Sequence, residues 1–371
     1  MKIQTIEILK LGLPMVHSFE TSFGKLTHKE TVIVRMKTDD GRVGYGESSA
    51  FFAPLYNYET VDTCVYIIKQ FLAPLVVGKT FNSPAEFTAS YKHIVGHHIA
   101  KTSLETAFWH LTAQIENKSM KQLVGGTQQK IAVGESIGIK ATLEDTLSEI
   151  SQRIDEGYRR IKVKIKPGWD LDIAHAIRNK WPTIDLMLDG NSAYNLHEHT
   201  DILKQMDQFN LTMLEQPLGE DDIIDHATLQ KMIKTPVCLD ESIISAEDAR
   251  KALEIGACKI INIKPGRVGG VYESIKIHDL CKAAGIGVWC GGLLETGIGR
   301  AFNIALASKE NYVYPADMSM YNLFYKEDLI EPSYVVDKEG YIAVPDTPGL
   351  GYTIAEDRIK TYTVDTIVIG A

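Results

Sequence analysis

A parallel (β/α)7β barrel of the TIM type, covered by an α+β capping domain, is the α/β architecture that this 371-residue sequence predicts. Three observations carry the prediction. From about residue 131, short apolar runs alternate with amphipathic segments: IAVGESIGI, RIKVKI, DLMLD, LTMLE, TPVCLD, KIINIK, GIGVWCGG and YVYPAD. Eight strand-like runs parted by helix patterns, all within under 200 residues, suit a parallel barrel better than an open sheet. Charged residues close five consecutive runs at nearly even intervals. The two ends of the chain have a mixed texture that sets them apart from the repeating middle.

Taken in order, residues 1–125 open with strand patterns at Ile3–Leu9, Thr31–Lys37 and Val43–Gly46, the last two joined by a turn at Asp39-Asp40-Gly41. Helical patterns follow at Val61–Leu72 and Ala100–Ile115, the second with Leu104, Ala107, Phe108 and Leu111 on one core-facing stripe. Residues 126–319 form the barrel, with helix candidates that include Leu143–Glu156, Asp172–Asn179, His197–Gln208 and Ala246–Leu253. The helix after the seventh run, Gly299–Ala307, is clear, so the eighth strand is expected to be short. Residues 320–371 return to strands and turns and are expected to pack back on the N-terminal region, completing the capping domain.

Composition narrows the function classes. The chain carries 39 basic and 48 acidic residues, a net charge of −9, and no basic stripe, which excludes a nucleic-acid partner. No apolar run approaches the roughly 20 residues of a membrane span, and MKIQTIEILKLGLPM alternates like a half-buried strand rather than a signal peptide. Five scattered cysteines without CxxC pairing read as reduced thiols, so the cytoplasm is expected.

The charges that end the runs are Lys164, Asp189, Glu215, Asp240 and Lys264, spaced by 25, 26, 25 and 24 residues, about one βα unit each. Each therefore falls at the C-terminal end of a successive barrel strand, the face where barrels build their chemistry. Any one of them could end a strand merely because strands end at solvent. Three carboxylates at one mouth repel each other unless a cation sits among them. All-oxygen ligands without Cys or His point to a hard cation, Mg²⁺ or Mn²⁺. A lysine near other positive charge has a depressed pKa and can act as a general base. A small carboxylate substrate fits this set: a lysine removes its α-proton and the metal stabilises the enediolate. Reprotonation or loss of a β-hydroxyl then decides the product.

These residues resemble the enolase superfamily along the whole chain, and lysines on the second and sixth strands resemble its muconate-lactonising-like subgroup. VWCGG at Val288–Gly292 lacks the histidine of a mandelate-racemase-like enzyme. Within the subgroup the sequence is most similar to the branch holding o-succinylbenzoate synthases and N-acylamino acid (N-succinylamino acid) racemases. The stretches that carry this are FETSFG (Phe19–Gly24), APLY (Ala53–Tyr56), GHHIAK (Gly96–Lys101), KIKPGWD (Lys164–Asp170), EQPL (Glu215–Leu218), LDESI (Leu239–Ile243), NIKPGRVGG (Asn262–Gly270) and WCGGLLETGIGRA (Trp289–Ala301). PADMS (Pro315–Ser319) keeps one aspartate, Asp317, where dipeptide epimerases carry Asp-x-Asp, which argues against a substrate ammonium.

The resemblance implies a Mg²⁺-dependent dehydratase of menaquinone biosynthesis, a racemase of N-acylamino acids, or both, assembled as a homo-oligomer. It implies Asp189, Glu215 and Asp240 as metal ligands and Lys164 and Lys264 as the catalytic pair. In dehydration Lys164 would take the proton and return it to the leaving hydroxyl while Lys264 stabilises charge; in racemisation the two would alternate. Lys162 would be the deeper charge that lowers the pKa of Lys164, and Lys166, beside Pro167, a rim residue. Asn191 and Glu241 would orient the ligands or serve ordinary loop contacts. Phe19, Phe23, Phe51, Tyr56 and Phe324 would form an apolar lid, although each alone also suits core packing. Ser136 and the backbone of Gly292, Leu293 and Leu294 would meet the far end of the substrate.

Two other classes stay open. A Schiff-base lyase would use Lys264 covalently and would need no carboxylate triad. A non-catalytic barrel would keep the metal site for binding alone. The pairs Gly125-Gly126, Gly269-Gly270 and Gly291-Gly292 fit no phosphate-loop pattern and read as turns. His97-His98 reads as packing or capping, Glu295 as structural, and His197 and His199 as solvated.

Overall fold

The computed structural model describes residues 1–22 and 24–370. The chain begins with three antiparallel strands, β1 (Ile3–Thr21), β2 (Gly24–Thr38) and β3 (Val43–Ser48). The first two are longer than the apolar alternation suggested, because their pairing resumes after an irregularity between Pro14 and Phe19 and runs on as far as Thr21 and Gly24. Helix His98–Glu116 lies across this sheet. A Cβ on Gly44 or Gly46 would stand 2.2 Å from the Ala107 carbonyl or 2.0 Å from the Ser103 carbonyl, so only glycine lets strand and helix meet this closely. The predicted helix over Val61–Leu72 runs as α-helix to Ile67 and widens into a π-helical turn at Ile68–Leu72. Pro74, which has no N–H to continue the ladder and a ring that crowds the preceding turn, accounts for the widening.

Eight parallel strands follow: β4 (Lys130–Ile137), β5 (Arg160–Lys164), β6 (Asp185–Asp189), β7 (Met213–Glu215), β8 (Val237–Leu239), β9 (Ile260–Ile263), β10 (Gly287–Cys290) and β11 (Ala316–Asp317). Their spatial order, β10-β9-β8-β7-β6-β5-β4-β11, is a nearly closed barrel, with the bridge Val288–Tyr312 beside the remaining seam. Helices begin where short polar side chains satisfy their first N–H groups: Thr142 at Leu143–Asp155, Asn195 at Leu196–Gln205 and Ser245 at Ala246–Glu254. The barrel interior is filled by Met187, Met213, Cys238, Ile260 and Trp289. All five cysteines are buried and unbridged. The last strand spans two residues, as short as expected.

The tail adds β12 (Ile330–Glu331), β13 (Tyr341–Ala343), β14 (Thr353–Ile354) and β15 (Thr363–Gly370). β15 pairs antiparallel with β1, as a tail returning to the N-terminal sheet must. β13 instead pairs with the first barrel strand, Tyr341 opposite Ala132, a contact that alternation in three residues could not announce.

Buried carboxylates fasten the antiparallel layer to the barrel. Glu47 accepts from the Thr296 N–H and hydroxyl and from the Gly299 N–H, at the start of helix Gly297–Ala307. Glu105 accepts from the N–H groups of Val271 and Tyr272, at the start of helix Val271–Ala283. Each supplies acceptors where a helix has unpaired donors.

Candidate active site

Strand register builds the site. Lys164 lies opposite Asp189, and Asp189 opposite Glu215. Asp240 and Lys264 follow the last residues of β8 and β9, so all five charges of the sequence ruler stand at one end of the barrel. The three carboxylates are fully buried, and Lys162, Lys164 and Lys264 nearly so. Lys166 is half-buried beyond the strand end, its N–H donating to the Trp169 carbonyl.

The cations divide the acids between them. Lys164 Nζ donates to Asp189 Oδ2 at 2.5 Å. Lys162 Nζ reaches Asp317 Oδ2 at 2.5 Å, Glu215 Oε2 at 3.1 Å and Asp189 Oδ2 at 3.4 Å, and sits 4.9 Å over the Trp289 ring. Lys264 Nζ donates to Asp240 Oδ2 at 2.6 Å and to Tyr56 Oη at 3.3 Å. Burial lowers the pKa of Lys164; Asp189 opposes this and Lys162 adds to it. Lys162 contributes to the lowering, and desolvation is the larger cause. Burial works against Lys264 too, but Tyr56, Glu241, Glu215 and Asp189 hold it above the ordinary lysine range. Burial likewise opposes ionisation of Asp189, yet Lys164 and Lys162 keep its carboxyl well below the usual range.

Asn191 and Glu241 act together. The Asn191 N–H donates to Asp189 Oδ1 at 2.9 Å and its amide to Glu241 Oε1 at 2.7 Å. Asn191 Oδ1 and Glu241 Oε2 are buried without partners. Burial and nearby Asp189 push the Glu241 carboxyl up to about 7, against the opposing charge of Lys264.

A chamber opens above these groups. Phe19, Phe51, Tyr56 and Phe324 line it together with Ser136 and the segment Gly292–Leu294. Phe19 and Phe324 meet edge to face with ring centroids 5.9 Å apart. Phe23, the remaining residue expected in the lid, lies outside the described residues. Tyr56 is more than apolar cover, because its hydroxyl donates to Asp240 Oδ1 at 3.2 Å. The Ser136 hydroxyl is buried and unpartnered beside the chamber.

Several residues were missed by sequence reasoning. Arg267 binds Asp240 Oδ1 and donates to the carbonyls of Ile243 and Asn262. Asn262 donates to Glu215 Oε1 at 2.7 Å and receives the Gly291 N–H. The two-residue period of a strand places Asn262 on the same side as Lys264 and could have found it. Lys29 could not have been found: its ammonium lies 3.3 Å from the carbonyls of Ala50 and Leu293, a contact 264 positions apart in the chain. Glu295 pairs with Arg300 and Asn303 and is structural. His97 packs edge to face on Tyr58 and does not cap its helix with its side chain.

The donor set fits a hard divalent cation. Asp189, Glu215 and Asp240 are buried oxygen donors on neighbouring strands, and Asn191 Oδ1 and Glu241 Oε2 are further oxygens whose burial without a partner is costly. The fit rests on this chemistry and not on a preassembled cage: among the described residues no three Asp, Glu, His or Cys converge at ligand spacing. Their oxygens lie against the lysines and Arg267 instead.

A nearly closed barrel with acids and opposed lysines at its C-terminal mouth, beneath an aromatic lid, defines a metal-dependent enzyme of the lyase and racemase kind. Residues 4–125 match the mandelate racemase / muconate lactonizing enzyme N-terminal domain and residues 145–358 the enolase C-terminal domain-like family, so the chain belongs to the enolase superfamily. It is 45% identical over 361 residues to an o-succinylbenzoate synthase of Geobacillus kaustophilus, covering 97% of this chain and 96% of that one. It is 41% identical to an N-succinylamino acid racemase of Thermus thermophilus, covering 98% of each. Among solved structures, an enolase superfamily member from Listeria innocua superposes with a TM-score of 0.96 at 40% identity, over 100% of this chain and 99% of that one.

Proposed function

We propose that the protein is an o-succinylbenzoate synthase that dehydrates a β-hydroxy carboxylate with syn geometry, acting in menaquinone biosynthesis. The observation that carries the reading is the 45% identity, over 97% of this chain, to an o-succinylbenzoate synthase, together with two buried lysines, Lys164 and Lys264, paired with Asp189 and Asp240 at one barrel mouth. Dehydration needs one amine to move a proton and one cation beside the developing charge, roles these two lysines can fill. Lys164 Nζ takes the α-proton, the electron pair moves into the carboxylate, and Lys264 remains charged beside the developing negative charge. Lys164 then returns the proton to the β-hydroxyl, the carbon–oxygen bond breaks and water leaves. Asp189, Glu215 and Asp240 would hold Mg²⁺, or Mn²⁺, which when bound supplies positive charge to the substrate carboxylate. Tyr56 and Arg267 fix Asp240, Asn262 fixes Glu215, and the apolar chamber excludes water and accepts the apolar part of the substrate.

N-succinylamino acid racemisation is the second reading, supported by the opening of both lysines into one chamber. An ammonium-bearing dipeptide fits less well, because Asp317 is already bound by Arg160 at 2.6 Å and by Lys162. A Schiff-base role for Lys264 is disfavoured by the charge that Asp240 and its neighbours maintain on it. We take residues 1–125 with 320–371 as the capping domain and 126–319 as the barrel. No helix of the described residues is long and apolar enough to cross a membrane. The same reading makes the protein a homo-oligomer of the cytoplasm that works on a small carboxylate.

The test is kcat/KM for dehydration and for racemisation on one preparation with Mg²⁺. The expected result is dehydration dominant, with both activities lost to a chelator. Racemisation dominant would favour the second reading. Absence of dehydration, racemisation and α-proton exchange would refute both.

A further inference from the structure

Lys29 lies on β2 opposite Leu13 of β1 and is only 2% exposed. Burying an ammonium is costly unless strong acceptors meet it. The carboxylates near it are engaged elsewhere, Glu47 by Thr31, Ser49 and Thr296, and Glu295 by Arg300 and Asn303. The ammonium is spent instead on the carbonyls of Ala50 and Leu293, each at 3.3 Å, and on the Phe51 ring, whose centroid is 5.1 Å away. Phe51 and Leu293 line the substrate chamber, and Lys29 does not. One buried cation thus joins, from behind the wall, a capping loop and the barrel segment that follows β10.

The Leu293 carbonyl and the Leu294 N–H belong to one trans peptide, so they point in opposite directions. With its carbonyl turned to Lys29, the peptide turns its N–H to the other side, where Leu294 borders the chamber. Among the described residues that N–H has no hydrogen-bond partner. Leu294 has a φ of +55°, a left-handed conformation that a leucine holds only when its neighbours impose it, and Tyr325 donates to its carbonyl. We propose that Lys29 is a positioning residue for the far wall of the chamber: it fixes the Leu293–Leu294 peptide so that its N–H meets the distal carboxylate of a substrate's succinyl chain. Lys29 touches no substrate atom and acts through that peptide, whose dipole its charge aligns. The proposal rests on the reading of Gly292–Leu294 as the contact for the far end of the substrate.

The test compares N-succinyl-L-phenylalanine with N-acetyl-L-phenylalanine, which lacks the distal carboxylate, by α-proton exchange in D₂O with Mg²⁺. Lys29→Met, similar in length but uncharged, should raise KM about tenfold for the succinyl compound and only about twofold for the acetyl one, with kcat for both within about threefold. Lys29→Arg, which keeps the charge and the donors, should recover most of the preference. The unmodified chain gives a readout that needs no variant. Burial lowers the Lys29 pKa to about 8, with Arg300 adding to this and Glu47, Glu295 and Cys64 opposing it. The ammonium is present below that pH and lost above it, so preference for the succinyl compound should fall as pH rises through about 8. Equal losses on both compounds, the same fall with pH in Lys29→Met, or no preference for the succinyl compound in the unmodified chain overturns the proposal. The underlying function is judged separately: it fails if the unmodified chain shows neither exchange nor dehydration, and calorimetric binding of the same two compounds then decides on Lys29 by the same contrast.

Discussion

Three lysines alternate in the sequence at 162, 164 and 166, and their surroundings make them unequal. Lys162 is clamped by Asp317 and Glu215, Lys164 faces Asp189 alone, and Lys166 has left the strand. Lys164→Ala should lower kcat/KM by at least about a thousandfold, as loss of a general base does, while Lys166→Ala should stay within about twofold. Steady-state kinetics on both variants checks this, and equal losses would refute the ranking. The five charges at the barrel mouth were legible because each ends an apolar run one βα unit from the next. Arg267 and Lys29 were not, because their partners are set by tertiary approach and leave no local period. Tyr56 was legible as a lid residue but not as a hydrogen-bond donor to Asp240.

Among elements, the helix His98–Glu116 shows how a segment read only as core acquires a second task. Its apolar stripe was visible in sequence, but the same helix carries Glu105, which accepts from Trp109 one turn on and from Val271 and Tyr272 across to the barrel. Burial pushes the Glu105 carboxyl up to about 7, although those donors oppose it. The folded chain therefore holds this proton more tightly than the unfolded one. The contribution of Glu105 is most favourable below its ordinary pKa and declines as pH rises through about 7, by roughly 3 kcal/mol at most. Glu105→Gln has no such titration. Urea unfolding at pH 5 and pH 8 should show the variant gaining on the unmodified chain by about 2–3 kcal/mol between the two. A constant difference would refute the assignment. Segments of two or three residues, such as β11 and β13, were hard to read because strands so short carry almost no alternation.

At the scale of the whole molecule, first and last strands share a sheet. Residues 363–370 cover the edge of β1 from Thr5 to Leu11, and Ile367 and Ile369 pack on the core beneath. Removing them should lower Tm by several degrees and promote aggregation through the bared edge, measurable by calorimetry and light scattering. An unchanged Tm would refute this. The overall plan was legible because barrel periodicity and mixed ends are properties of long stretches, whereas the pairing of the tail with β4 depends on where the barrel leaves an edge open. The anchoring of Glu47 and Glu105 at the starts of two barrel helices also bears on how such proteins can recombine. Each carboxylate and the turn it grips form one unit of inheritance, split between distant parts of the gene. A capping sheet and helix exchanged between relatives keep these contacts only when Thr296–Gly299 and Gly270–Tyr272 travel with them.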